Sequence, residues 1–418
     1  MKFYSQYRSH DLFELHDTLS GLSKSNRWVR LADNLPWDKI EKEYNKRLRN
    51  SHSGAGNKPA RMVVGALIVK HVENLSDART IQAIQENPYM QYLLGLSKFT
   101  EKPVFVPELF VLVRKRLDHE FFNMLTLMLA EADGSKPKKE RTDKDGNDHG
   151  GTMKVDATCC DAEVRYPTDT HLLENTLLGC FSRHDLKCLR AAFRMYEQQK
   201  MMFEQNVRSC ADRIISIYQP HLRPIVRGKA KAKVEFGAKI GASIVNGYTF
   251  VDHLSWDAYN EAADLALQTE LYRKRFGMLP KEIQADKLYL GRANRQYIKD
   301  CHIDCYNSPL GRPPKEENDG HLKDKQRAIS ERNEIEGTFG TAKRVYRANN
   351  IRAKLDDTAD TWIGACFFAK NVMKFLRGLL YLIFAKCNLE ALKKRNGNRF
   401  DSLNRVLATQ CCCVIKII

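Results

Sequence analysis

No apolar run in this chain approaches the roughly twenty residues that a membrane-crossing helix needs. The longest uncharged apolar stretches, Trp362 to Ala369 and Gly378 to Ala385, are about eight residues each. Residues Met1 to Arg8 contain no apolar segment, so no secretory signal is expected. Low-complexity tracts are lacking as well. Cysteine is sparse, twelve in 418 residues, which excludes a disulfide-stapled small fold. Cys366 and Cys387 sit in apolar surroundings that suit a core, and Cys411, Cys412 and Cys413 form a run in the tail. Cys301 and Cys305 stand alone at a loosely metal-like spacing, with no second pair or histidine couple, so no zinc site is expected. Together these absences lead to the expectation of a cytoplasmic protein with no membrane partner.

What is present is positive charge. Lys and Arg number 68 against 51 Asp and Glu, a net charge of +17. Such an excess favours a polyanion, of which nucleic acid is the commonest, over a basic enzyme that binds none. With 43% hydrophobic residues the chain has material for two or three domains.

Residues 1–131 read as helical. Val64, Leu67, Ile68 and His71 share one face of a helix after Pro59. Ser76 can cap a second helix, Asp77 to Glu86, which Asn87-Pro88 ends. Tyr89 to Leu96 forms a third short segment. A fourth begins near Pro107 and carries Arg114, Lys115 and Arg116. Short helices with tight breaks suit either a helix-turn-helix-like DNA-binding region or a helical dimerisation bundle. Residues 132–151 contain no large apolar side chain after their first few positions and are expected to form a flexible charged linker.

Beyond the linker, residues 152–390 read as mixed α/β. Met153 to Cys160 is β-prone, interrupted by Asp156. A helical insertion is expected over about 171–218. Val234 to Val245 and Tyr248 to Trp256 read as strands joined by Asn246-Gly247, the strongest short hairpin signal. A helix from about Ala258 to Phe276 ends at Gly277 and Pro280. A strand, Ile283 to Leu288, carries Asp286, and a helix near Arg292 to Lys299 and a strand-like piece, His302 to Asn307, follow. The last third is helical, including a long apolar helix from about Trp362 to Ala385, before a tail over 391–418. This order is that of a ribonuclease-H-like mixed sheet with a helical insertion, preceded by an all-α domain.

Three carboxylates occupy settings unusual for solvated charge. Asp156 lies within a run suited to a central strand, and Asp286 ends a strand before a helix, where open α/β sheets place their sites. In the helix around 331–345, at about 100° per residue, Arg332, Glu336, Gly340 and Lys343 fall within roughly 80° of one another. Ile335, Phe339 and Ala342 form the adjacent apolar stripe, while Glu334 falls about 200° round from Glu336, on the expected solvent side, and Glu331 also misses the stripe. Two carboxylates about 4 Å apart repel by roughly 4 kcal/mol at an effective dielectric of about 20. Convergence of the three therefore calls for a divalent cation, and all-oxygen donors point to Mg²⁺ or Mn²⁺. Read from spacing alone, the three can also be unrelated surface or capping residues.

The chain resembles the DDE transposases of bacterial insertion sequences, the large group named after insertion sequence five. The resemblance rests on KVDATCCDAEVRYPTD (154–169), VRGKAKAKVEFGAKIGASIVNGYTFVDHLSWDAYNE (226–261), ADKLYLGRANR (285–295), GRPPK (311–315), RNEIEGTFGTAKRVYRANNIRAKL (332–355) and ACFFAKNVMKFLR (365–377). LSDARTIQAIQENPYMQYLLGL (75–96) and PELFVLVRKRL (107–117) resemble the group's helical N-terminal region. The resemblance implies a ribonuclease-H-like core with Asp156, Asp286 and Glu336 as catalytic, metal-holding acids. It also implies two Mg²⁺ ions, with Arg332 and Lys343 on DNA phosphates. Arg344, Arg347, Arg352 and Lys354 extend that basic surface, and Arg223, Arg227, Lys229, Lys231 and Lys233 form a second candidate track. His171, His221 and His253 read as ordinary surface or core histidines. Ile329 stands where the group often has Tyr, the insertion is short, and the tail ATQCCCVIKII is foreign to the group.

The expectation is thus a transposase, nucleoid-associated, cutting terminal inverted repeats and joining them to target DNA as a homo-oligomer. A decayed copy that only binds DNA, or a structure-selective nuclease on the same fold, are the alternatives.

Overall fold

The computed structural model describes residues 21–48, 56–163, 183–208, 210–226, 234–306 and 319–396; the side chains of 183–186, 319–322 and 382–396 are outside the description. Two compact units emerge. The first comprises Met1–Lys138, Val245–Phe250 and Gly364–Ile418, and the second Lys139–Ile244 and Val251–Ile363.

The first unit is helical: α1 (Arg27–Asn34), α2 (Trp37–Lys46), α3 (Ala60–Val72), α4 (Asp77–Glu86), α5 (Pro88–Leu93), α6 (Glu108–Arg114) and α7 (His119–Ala132). Local signals set several ends. Ser76 accepts from the Arg79 N–H at the start of α4, and Asn87 caps α5 just before its Pro88. Asn371 is wholly buried yet satisfied: its amide donates to Thr126 Oγ1 and the Thr249 carbonyl and accepts from the Thr249 N–H. His71, also buried, faces the Cys366 thiol at 3.4 Å, and burial pushes its pKa down to about 3. Cys366 is a core residue, as its surroundings suggest.

Arg114, one of the basic residues of α6, is buried and bidentate to Asp77 at 2.9 and 2.7 Å. Lys70, only 2% exposed, meets the same carboxylate at 2.8 Å. A charge at a helix position facing the core needs a buried partner, and Asp77 supplies one to both cations.

The second unit opens with a surprise. Within the stretch expected as a linker, β1 (Arg141–Thr142) and β2 (Asp148–His149) pair antiparallel. His149 is wholly buried, with Nε2 2.9 Å from an Asp143 oxygen and Nδ1 3.2 Å from the Pro280 carbonyl oxygen. Polar composition concealed these buried partners.

The main sheet contains β3 (Thr152–Asp161), β4 (Pro224–Val226), β5 (Val234–Val245), β6 (Tyr248–Ser255) and β7 (Glu282–Ala285) in the order β4-β5-β3-β7, with β6 also on β5. Between β5 and β6, Asn246 and Gly247 take φ of 48° and 78°, the two positive values that a tight two-residue hairpin requires. β3 and β7 run parallel, with Val155 opposite Ala285. Helices α8 (Arg183–Glu204), α9 (Asp264–Phe276), α10 (Arg292–Asp300), α11 (Asp319–Arg344) and α12 (Asp356–Asn396) complete the described elements. The architecture is mixed α/β. The expected insertion helix stops at Glu204, where Asn206 takes a φ of 52°; residues 171–182 lie outside the description. The expected strand at His302 to Asn307 reduces to a bridge between Asp304 and Glu282. No described helix is long and apolar enough to cross a membrane.

Candidate acidic site

β3 sets the first acid. Met153, Val155 and Ala157 fill the core, while Lys154 and Asp156 alternate onto the other face. The β3–β7 register ends at the Val155–Ala285 pair, and Asp156 and Asp286 are the next residues on either side. Among the described residues, no three acidic, thiol or imidazole ligand atoms within 4.8 Å of one another include those of Asp156, Asp286 or Glu336. The strand expected to carry Asp286 stops short of it. It ends at Ala285, and Asp286 caps a 3₁₀ turn, Lys287–Tyr289, through the Lys287 N–H. The capping role and a role at the sheet edge coincide in this one residue.

Helix α11 packs on the same face of β3 and β7. Ile335, Phe339 and Ala342 are buried, as the apolar stripe requires. Glu334 stays on the expected solvent side, and both it and Glu331 reach back to polar groups on the strands. Glu331 accepts from the Gln284 amide at 2.7 Å, and Glu334 meets Lys154 at 2.6 Å while staying 44% exposed. Arg327 also reaches the buried Glu282 at 3.0 Å. Long side chains at the margins of the packed stripe can bend back to polar groups on the strands, which a helical projection does not register. These ties align α11 so that Arg332 and Glu336 come next to the acids. The Arg332 guanidinium lies 3.9 Å from Asp286 and 3.5 Å from Glu336, both carboxylates being largely exposed.

Asp156 is the perturbed member. Burial pushes its pKa up to about 6; the Ala157 N–H and Arg332 counter this, and the charges of Glu261 and Asp286 add to it. Glu261 was missed by sequence reasoning, because an acid in the polar stretch WDAYNE (256–261) looks like ordinary loop charge.

The basic residues after Glu336 divide by exposure. Lys343 is half-buried and its charge reaches Cys159. Arg344, Arg347, Arg352 and Lys354 are exposed, alternating with buried Tyr346, Ala348, Ile351 and Ala353. In the second track, Arg223 donates to the Pro220 and Leu222 carbonyls and lies 3.6 Å from Asp257. Its companions Arg227, Lys229, Lys231 and Lys233 lie outside the described residues. His221 packs edge-on to Trp256, and His253 faces Asp264 at 2.9 Å, a core role for both.

The group of potential metal ligands that does converge among the described residues was also missed. The Cys159 thiol and the Asp161 and Glu235 carboxylates bring ligand atoms within 4.8 Å of one another. Asp161 is five residues along β3 from Asp156, about 16 Å at strand spacing, so this group is distinct from the acids at the α11 face. It depends on Gly237, whose missing Cβ lets β5 approach within what would be 2.0 Å of the Cys160 carbonyl.

Residues 17–116 match the family described as Transposase domain (DUF772), and residues 283–373 the family described as Transposase DDE domain. Over these two spans the chain is similar to transposase domains, the second of the DDE type. The second match includes Asp286 and Glu336 and begins beyond Asp156. An uncharacterized protein, ORF8 in the nfe locus of Rhizobium meliloti, is 26% identical to this chain over 146 residues. That similarity spans 34% of this chain and 66% of the relative's length, just under two thirds. No solved structure matches the chain.

Proposed function

We propose that the chain is a transposase of the insertion-sequence-five group. It cuts the ends of its element and joins them to target DNA, using Asp156, Asp286 and Glu336 on a ribonuclease-H-like sheet. The observation that carries this reading is the Arg332 guanidinium shared by Asp286 and Glu336, which joins the turn that Asp286 caps to the helix that carries Glu336. The charge of Asp286 also acts on Asp156. The order of β5, β3 and β7, with β3 parallel to β7, supports the ribonuclease-H-like assignment.

The donor set fits Mg²⁺, or Mn²⁺: three carboxylates with no thiol or imidazole among them. A pair of such ions supplies activation of a water or a 3′-hydroxyl and stabilisation of the leaving oxygen in phosphodiester chemistry. Asp156 would hold the ions from β3, Asp286 from the turn after β7, and Glu336 from α11. Arg332 is released from the two carboxylates to meet a DNA phosphate. Lys343, Arg344, Arg347, Arg352 and Lys354 bind phosphates along the exposed edge and fix the strand without reading bases. Cleavage by water precedes attack of the freed 3′ end on target DNA, with two ends held by a homo-oligomer.

The test is a cleavage and strand-transfer assay on linear DNA bearing the element's inverted repeats, with Mg²⁺. Nicks at the ends followed by joined products support the reading. Binding without nicks identifies a decayed copy, and cutting without joining a structure-selective nuclease.

A further inference from the structure

Glu261 belongs to none of the motifs that the proposed function uses, yet its position is built with care. β6 leads into a 3₁₀ turn, Glu261–Ala263, capped by the Asn260 side chain. β7 leads into the 3₁₀ turn capped by Asp286. The two turns pack on one another, and the Asn294 amide ties them by donating to the Ala262 carbonyl at 2.7 Å and the Tyr289 carbonyl at 2.6 Å. Glu261 and Asp286 thus head two joined turns at one end of the sheet.

Glu261 is only 20% exposed, with Lys239 Nζ at 3.5 Å. Lys239 is itself fixed, donating to the Tyr259 carbonyl at 2.8 Å and lying over the Tyr259 ring. An independent observation comes from Tyr289. Its side chain is wholly buried, and its hydroxyl has no hydrogen-bond partner among the described residues. The charges acting most strongly on it are Glu261 and then Asp156, which together with burial suppress its acidity. A buried hydroxyl left without an acceptor costs free energy unless the site gains one. Here the unmatched donor lies within range of the charges of Glu261 and Asp156.

We propose that Glu261 is a fourth carboxylate of the site and a ligand for one of its two divalent cations, with the Tyr289 hydroxyl as the donor that orients it. The inference rests on the reading of Asp156, Asp286 and Glu336 as metal-binding acids. In this arrangement Lys239 holds the place of the cation and competes with it. A purely structural Lys239–Glu261 ion pair predicts something different, since removing either partner then leaves metal binding unchanged.

The experiment is Mn²⁺ titration of the full chain without DNA, followed by electron paramagnetic resonance and calorimetry, with thermal melting as the check on folding. Wild type is expected to bind two ions. Glu261→Gln weakens one of them at least tenfold and leaves the other, Glu261→Asp weakens it less, and Lys239→Met tightens it several-fold. Asp156→Asn weakens both. Should Glu261→Gln fail to fold, Glu261→Asp and Lys239→Met carry the test. Wild-type Mn²⁺ binding in the Glu261 and Lys239 variants, alongside weakened binding in Asp156→Asn, overturns this inference alone. Unchanged binding in Asp156→Asn as well overturns the underlying reading of the acids, and the inference falls with it.

Discussion

Replacing Asp156 with Asn should make the protein more stable at neutral pH while removing its metal binding. In the folded chain the pKa of Asp156 rises from 3.8 to about 6, chiefly through burial. A raised carboxyl pKa means the fold prefers the neutral acid. Its contribution is complete below pH 3.8 and is lost as pH climbs through about 6. At about 1.4 kcal/mol per unit, the loss amounts to at most about 3 kcal/mol, the residual solvent contact of the side chain reducing it. Asn has nearly the same shape and no charge to lose. Urea denaturation in EDTA at pH 4, 5.5 and 7.5 should show the Asn variant gaining on wild type as pH rises, with a plateau above pH 6.5. Divalent ion at about a hundred times its Kd should then restore about 2.7 kcal/mol per bound ion to wild type and far less to the variant. A variant less stable than wild type at pH 7.5, or a difference flat with pH, would refute the argument that this acid is held against its own charge.

Three further outcomes follow from packing and charge. Gly237→Ala places a Cβ 2.0 Å from the Cys160 carbonyl oxygen, so β5 must part from β3; denaturation should show a loss of about 3 kcal/mol, and a loss below about 1 kcal/mol would contradict the close approach. Asp77→Asn leaves Lys70 and Arg114 buried without their shared anion; the expected cost is about 3–5 kcal/mol, read as a large drop in melting temperature. Arg344→Gln with Lys354→Gln removes two exposed cations and should lower the log–log salt slope of DNA binding by about 2 at unchanged stability; an unchanged slope places the DNA elsewhere.

Features dictated by adjacent residues were legible in the sequence. Asn246-Gly247 made its hairpin, Ser76 capped α4, and Gly277 ended α9 with a φ of 74°. The β-prone run from Met153 to Cys160 likewise formed its strand, with Asp156 half-buried within it. Features that depend on distant partners were hidden. The burial of Arg114 could not be read locally, because its anion, Asp77, lies 37 positions away. Asp143 and His149 looked like linker polarity because their burial depends on the chain near Pro280. Glu334 projects away from the stripe of Glu336, yet its flexible stem reaches Lys154, 180 positions earlier. The group of Cys159, Asp161 and Glu235 needs the pairing of β5 with β3, which no local pattern encodes. Glu261 was concealed for the same reason, since its neighbours arrive from β5 and from the turn after β7.

The most direct measurement is the anomalous scattering of Mn²⁺ in crystals of the full chain. The account predicts two peaks bridged by the carboxylates of Asp156, Asp286 and Glu336, with Arg332 swung aside. Manganese bound at Cys159, Asp161 and Glu235, with nothing between the other three acids at saturating concentration, would contradict it.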